Sequence, residues 1–281
     1  MIYLTSRKLH VMFHYREYPA DAALSVYIKK FWVLDNSQQT TAMSNKSILP
    51  NGCANLAFIS GEGISIKTKQ EEIYLSAGIY LVGQLRSSIQ VSIRPYTKIT
   101  LVQLYPWTAG QLLATSLEDT AGNFIPLGDI DALLYRQLQQ MPLDDEAQIV
   151  AFFEGALLRI LGNAGRKDIL QPACRLIRAY RGNLGIHALG VQLGCSTRYL
   201  EKQFRRSLGI TPKDYAGIIR VRSLVDALSH LPDPARMTQL ALEYGFYDQA
   251  HFIKTFGTIV QMAPGKFQLN DFLLQNAGEG Y

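Results

Sequence analysis

An internal repeat constrains this chain more than any other feature. Residues 186–204, IHALGVQLGCSTRYLEKQF, and residues 237–256, MTQLALEYGFYDQAHFIKTF, follow one plan. Leu189, Leu193 and Gly194 stand 51 positions before Leu240, Tyr244 and Gly245. Beyond the turn the offset becomes 52, pairing Leu200 with Phe252, Phe204 with Phe256, Pro212 with Pro264 and Tyr215 with Phe267. Each copy predicts a short helix, a glycine turn and a second helix burying large apolar side chains four residues apart. Between them, Thr211-Pro212-Lys213-Asp214 offers an N-cap, a proline in the first turn and an acid three residues after the cap. The helix it opens is predicted to reach His230, before Pro232 and Pro234. Its length of about 28 Å, at about 1.5 Å per residue, approaches the 34 Å or so of one B-DNA turn.

The first half reads differently. Tyr27 to Leu34, Ala54 to Ile59, Ile73 to Val82, Ser88 to Ile93 and Ile99 to Tyr105 are strand candidates, punctuated by Pro50-Asn51-Gly52, Gly61-Glu62-Gly63 and Arg94-Pro95-Tyr96. Short strands with no helix between them predict a sandwich or small barrel. Two helices should follow. Asp129 to Gln140 would bury Ile130, Leu133, Leu134 and Leu138; Asp144 to Leu161 would bury Ile149, Phe153, Ala156, Leu157 and Ile160. This helical pair would cover the barrel or form a dimer interface. Gly162-Asn163-Ala164-Gly165 reads as a linker, so the expected fold is α+β: a mostly-β domain over 1–165 with two trailing helices, then an all-α domain over 166–281. A helix at Pro172 to Arg181 would open the second domain.

Charge separates the halves. Residues 1–165 carry 13 basic and 14 acidic side chains, a net of −1, and residues 166–281 carry 15 and 9, a net of +6, so the basic excess belongs to the half with the repeat. A basic surface on a duplicated helix-turn-helix predicts a phosphate backbone as partner. Cys53, Cys174 and Cys195 lack CxxC spacing, which argues for buried thiols rather than a disulfide framework or a zinc site. No apolar run is long enough to span a membrane and the N-terminus lacks a signal-peptide core, so a cytoplasmic protein is expected. The rival reading is a metal-dependent enzyme in the barrel, but only His10 and His14 precede residue 166, too few for a multi-histidine site. No catalytic residue, metal or cofactor is expected.

Base-reading candidates follow from the helix faces. In the first unit Ser196 should cap, Leu200, Phe204 and Leu208 should be buried, and Arg198, Glu201, Lys202 and Arg205 should share the outer face. In a major groove, arginine pairs with guanine and glutamate accepts from cytosine. Arg205, Arg206, Arg178 and Arg181 are placed for phosphates. The second unit offers Ala250, Ile253, Lys254 and Gly257 at the matching positions, flanked by Gln249 and His251. It can press on thymine methyl groups or read adenine but pairs less, so the first unit is expected to supply most base-specific affinity.

LGVQLGCSTRYLEKQF, GITPKDY and LALEYGFYDQAHFIKTF, followed by Ala263-Pro264 and Phe267, resemble the DNA-binding domain of AraC/XylS-type transcription regulators over roughly Pro172 to Phe272. The resemblance implies two helix-turn-helix units joined by a long helix, and regulation near promoters, often activation through RNA polymerase. Carried over by position, it implies base readers at Arg198, Glu201 and Lys202, then at Gln249, His251 and Lys254. Gly190 stands where alanine is usual, Tyr247 where a serine cap is usual and Gly257 where a basic residue is usual. HYREYPADAALSVYIKKFWVLDN, SILPNGCANLAFISG and VGQLRSSIQVSI resemble the domain that precedes many such regulators. That resemblance implies a cupin-like barrel that senses a small molecule or dimerises. Trp32, Asn55, Tyr80, Gln84, Arg86 and Trp107 combine apolar surface with polar heads there.

Overall fold

A computed structural model describes residues 14–113, 115–140, 144–161, 168–228 and 237–272. The predicted boundary at 162–165 lies outside the described residues.

The first half forms two antiparallel sheets. The larger has the order β1-β2-β9-β4-β7-β10, from β1 (His14–Pro19), β2 (Ile28–Asn36), β4 (Ala54–Ser60), β7 (Gly78–Val82), β9 (Thr97–Leu104) and β10 (Phe124–Pro126). The smaller has the order β3-β8-β5-β6, from β3 (Met43–Ile48), β5 (Ile64–Lys67), β6 (Glu72–Leu75) and β8 (Ile89–Ile93). Alternation along each strand gives the larger sheet two buried faces. Trp32, Ala57, Ile59, Tyr80 and Leu101 point inward, meeting Ile64, Ile66, Val91 and Ile93 of the smaller sheet. Phe31, Leu56, Phe58, Leu81 and Val102 point outward, toward helices.

Those helices are α1 (Ala109–Leu112), α2 (Leu127–Ile130), α3 (Ala132–Leu138) and α4 (Glu146–Leu161). Phe153 of α4 lies edge-on to Phe58, centroids 5.9 Å apart, and Ile149, Leu134 and Leu138 join the same cluster. The described part of the helical pair therefore covers its own sheet. Two expectations need correction. Asp131, at φ −142°, breaks the predicted helix and caps α3 through Leu133 N and Leu134 N. The phase restarts there, so Leu134 and Leu138 are buried but Leu133 is 69% exposed. The single predicted strand over Ile73 to Val82 is β6 and β7, which lie in different sheets. The side chains of Ala156, Leu157 and Ile160 lie outside the described residues.

Glu146, the first residue of α4, ties that helix to the sheet. Tyr18 Oη donates to its Oε1 at 2.9 Å, Arg16 to Oε2 at 2.9 Å, and Lys98 Nζ lies 3.3 Å away. Burial pushes its carboxyl upward, but Tyr18's hydrogen bond and the charges of Lys98 and Arg16 outweigh it, so the pKa falls below the ordinary glutamate value.

The second half is helical: α5 (Leu170–Ala179), α6 (Ile186–Gln192), α7 (Thr197–Leu208), α8 (Pro212–Leu228), α9 (Met237–Glu243) and α10 (Gln249–Val260). Thr211 and Asp214 form a reciprocal cap at the start of α8: Asp214 N donates to Thr211 Oγ1 at 3.0 Å and Thr211 N donates to Asp214 Oδ2 at 3.1 Å. The described α8 spans about 25 Å at about 1.5 Å per residue; Ser229 and His230 lie outside the described residues. The sequence repeat is also a repeat of contacts. Phe204 meets Tyr215 edge-on at 5.8 Å, and Phe256, 52 positions later, meets Phe267 the same way at 5.5 Å. Gly194 and Gly245 occupy left-handed conformations, φ 64° and 79°, in the two equivalent turns. At Gly245 a Cβ would also strike the Asn183 side chain of the first unit.

The two halves share a core. Leu49 and Trp107 of the β domain lie in one buried cluster with Tyr215, Ile219 and the α5–α10 side chains. Among the described residues no helix is long and apolar enough to cross a membrane.

Candidate nucleic-acid interface

Each second helix of the repeat has one buried face and one bare face. In α7, Ser196 Oγ accepts from Tyr199 N at 3.2 Å, Leu200, Phe204 and Leu208 are buried, and Gly209 at φ 72° ends the helix. Arg198, Glu201, Lys202, Arg205 and Arg206 are all exposed. Arg205 and Arg206 occupy the last turn, where cations oppose the negative end of the helix dipole. In α10, Asp248 Oδ1 accepts from His251 N at 2.7 Å and Phe252, Phe256, Ile259 and Val260 are buried. Gln249, Ala250, His251, Ile253 and Lys254 are exposed. The cap of the second helix is thus Asp248, and Tyr247, 89% exposed, stands outside it. His251 is exposed, accepts from Tyr247 N at Nδ1 (3.4 Å) and tilts against the Phe246 ring.

The glycine at 190 has a local cause: a Cβ there would lie 2.7 Å from the carbonyl oxygen of Cys195, so the turn approaches α6 too closely for alanine. Arg178 is not at the outer surface. Its Nε donates to Tyr215 Oη at 2.8 Å and its Nη2 to the Asn51 carbonyl at 3.2 Å, which makes it a bond between the halves. Arg181 is exposed and its guanidinium lies 5.2 Å over the Tyr244 ring, bridging the two units.

Between the units runs an open groove of about 650 Å³ whose walls include Arg86, Lys213, Asp214, Arg220, His251 and Lys254. Four cations face one carboxylate there. Of the cations only Lys254 was legible as a site residue; Lys213 and Arg220 are brought in by α8 and Arg86 by the β domain. Arg220 Nη2 donates to Gly182 O at 2.6 Å while its plane lies 5.6 Å from the Phe246 ring, and burial lowers its pKa.

A second, much smaller space of about 20 Å³ lies where the halves meet, walled by Tyr15, Trp32, Cys53, Asn55, Leu85 and Arg222. Trp32 Nε1 and Asn55 Oδ1 are buried without a hydrogen-bond partner. The space is large enough for a water molecule. Burial lowers the pKa of nearby Lys29, and the charges of Arg178 and Arg222 lower it further. The other polar heads singled out in the β domain are engaged: Tyr80 Oη donates to Ser76 O, Gln84 Nε2 to Leu85 O, Arg86 to Gly209 O and Trp107 Nε1 to Val26 O. Among the described residues no group of three His, Cys, Asp or Glu side chains stands together as metal ligands would. The side chains of His10 and His14 lie outside the described residues.

Two capped helices with apolar backs and polar fronts, repeated on one domain, define a helix-turn-helix DNA-binding domain. Residues 189–270 match the family described as "Helix-turn-helix domain". The match covers the two helix-turn-helix units and the helix between them, within the stretch whose sequence resembles AraC/XylS-type regulators. Residues 16–126 match a "Domain of unknown function (DUF6597)". No curated protein matches the chain. Among solved structures, ToxT from Vibrio cholerae is similar at 14% identity and a TM-score of 0.47, covering 86% of this chain and 99% of its own. Unsaturated fatty acid bound wild-type ToxT from Vibrio cholerae strain SCE256 is similar at 13% identity and 0.42, covering 92% and 95%. The AraC-like transcriptional activator CuxR is similar at 16% identity and 0.26, covering 72% and 74%.

Proposed function

We propose that α7 and α10 enter successive major grooves of one duplex, with Arg198, Glu201 and Lys202 reading base edges and Arg205 and Arg206 holding phosphates. Gln249, His251 and Lys254 make the second, weaker set of contacts. The observation that carries this reading is the pairing of bare polar faces with N-capped helix starts in both copies. The domain division at 165/166 is part of the same proposal: a β domain that modulates, a helical domain that binds. We assign a small-molecule effector to the β domain, with RNA polymerase and a second copy of the chain as further partners and activation in the cytoplasm as the mode and place of action. We assign it no catalysis; a stoichiometric transition metal in the purified protein would revive the cupin-type enzyme.

The test is selection of bound fragments from random DNA by the full chain, followed by substitution. Arg198→Ala is expected to weaken binding by about 1–3 kcal/mol and to relax one base position, with Lys254→Ala costing less. Affinity should fall steeply with salt, as phosphate contacts release counterions. A flat salt response together with an unchanged profile for Arg198→Ala defeats the reading.

A further inference from the structure

The C-terminal ends of both reading helices are held by one segment of the β domain. Residues 83–88 connect β7 to β8 and so pass from one sheet to the other. From this strap Arg86 Nη2 donates to Gly209 O at 2.9 Å, just past the end of α7. Two residues later, Ser88 donates to Ile259 O in the last turn of α10, through its backbone N–H at 2.7 Å and its Oγ at 3.2 Å. The adjoining turn adds a fourth bond, Leu117 N to Arg206 O at 2.7 Å. Turn and strap form one body: Gly83 N donates to Asn123 O, Gly122 N donates to Gln84 O, and a Cβ on Gly83 would collide with Thr120 O.

The chemistry suits the place. The last carbonyls of a helix have no partner within it and carry the negative end of the dipole, so N–H groups and a guanidinium are the natural occupants. The first turns of α7 and α10 are left uncovered. Elsewhere α10 is tied to the first unit near its start, where Gly245 packs on Asn183 and Arg220 spans Gly182 and Phe246. A rod held near one end can still pivot. Held at the other end too, it has one tilt.

We propose that Arg86 and Ser88 are positioning residues that fix the tilt of α10 relative to α7, and so set the separation between half-sites that the protein accepts. The proposal rests on the two-groove reading above, since a spacing has meaning only if both helices engage DNA. It also makes spacing preference a property of the β domain, although the strap itself reads no base.

The experiment uses the full chain and duplexes that wild type recovers from a random library, re-synthesised with the interval between half-sites altered by one or two base pairs. Each added base pair turns the second half-site by about 35° around the axis. Wild type is expected to lose about tenfold in affinity per step, on the scale of a mismatched contact. The double variant Arg86→Ala/Ser88→Pro, which removes the backbone N–H to Ile259 O as well as the hydroxyl, should keep the same preferred bases within each half-site while its penalty per step falls to about threefold or less. Arg86→Lys, which keeps a cationic donor, should restore most of the discrimination. An unaltered spacing profile in the double variant overturns the proposal. Wild type recovering a single half-site would instead remove the two-groove reading beneath it. If the double variant does not fold, spin labels at the exposed positions Tyr199 and Ile253 decide in the single variant Arg86→Ala. A broadened distance distribution supports the strap, and one identical to wild type overturns it.

Discussion

The two helix-turn-helix units are alike inside and unlike outside. Phe204 and Phe256 are both fully buried, and each meets an aromatic ring supplied by the segment that starts at the paired prolines. Outside, α7 presents Arg198, Glu201, Lys202 and Arg205 where α10 presents Ala250, Ile253, Lys254 and Gly257, and the neutral cap Ser196 is replaced by the anionic Asp248. A duplicated core keeps its shape because packing punishes any change of volume, whereas an exposed face changes at little cost to stability. The same scaffold can therefore grip strongly at one end and weakly at the other.

That contrast can be broken in descending order of effect. If the cores are equivalent, Phe204→Ala and Phe256→Ala should each cost about 3–5 kcal/mol of stability and agree within about 1 kcal/mol. Denaturant unfolding of the full chain measures both, and a large inequality would mean that only one unit sustains the domain. The outer faces are tested at the caps. Asn caps as well as Asp, so Asp248→Asn should leave folding nearly unchanged while removing a carboxylate from the start of α10. DNA affinity should rise by about threefold at low salt, and the gain should shrink as salt screens it. Ser196→Asp should do the opposite in the first unit, and equal responses to DNA in both variants would erase the distinction between the caps.

The smallest effect belongs to the β domain and should leave the comparison untouched. Glu146 has a folded pKa below its ordinary value, so the stability it contributes is present at neutral pH. It is lost as pH falls from the ordinary glutamate range through that lower value. Glu146→Gln should cost about 1 kcal/mol or less at neutral pH and flatten the acid side of the stability profile. A variant with wild-type acid sensitivity would assign that sensitivity elsewhere.

The repeat was readable because both packing and caps are local: helical spacing of large apolar residues, Ser196, Thr211 and Pro212 are all visible in the sequence. What depends on distant parts of the chain was not. The strands at Met43–Ile48 and Ile64–Lys67 are short or polar and are held as strands by their partners, Ile89–Ile93 for both and Glu72–Leu75 for the second. Arg178 looked like a phosphate ligand by its charge, yet it falls four residues after the buried Cys174, on the helix face that the β domain covers. The interval from Cys174 to Arg178 was the signal available. Apart from Arg178, the base- and phosphate-contact candidates are all exposed, but the cationic groove beside α10 was not legible because its members come from three separate stretches of sequence.

The chain has only two tryptophans, and they sit where a spectroscopist would have put them. Trp107 is buried on the joint between the halves and Trp32 lines the small space beside it, its indole N–H unengaged. Unlabelled protein thus carries two optical gauges. Emission lost with Trp107→Phe reports separation of the halves, and emission lost with Trp32→Phe reports whatever molecule enters beside that indole.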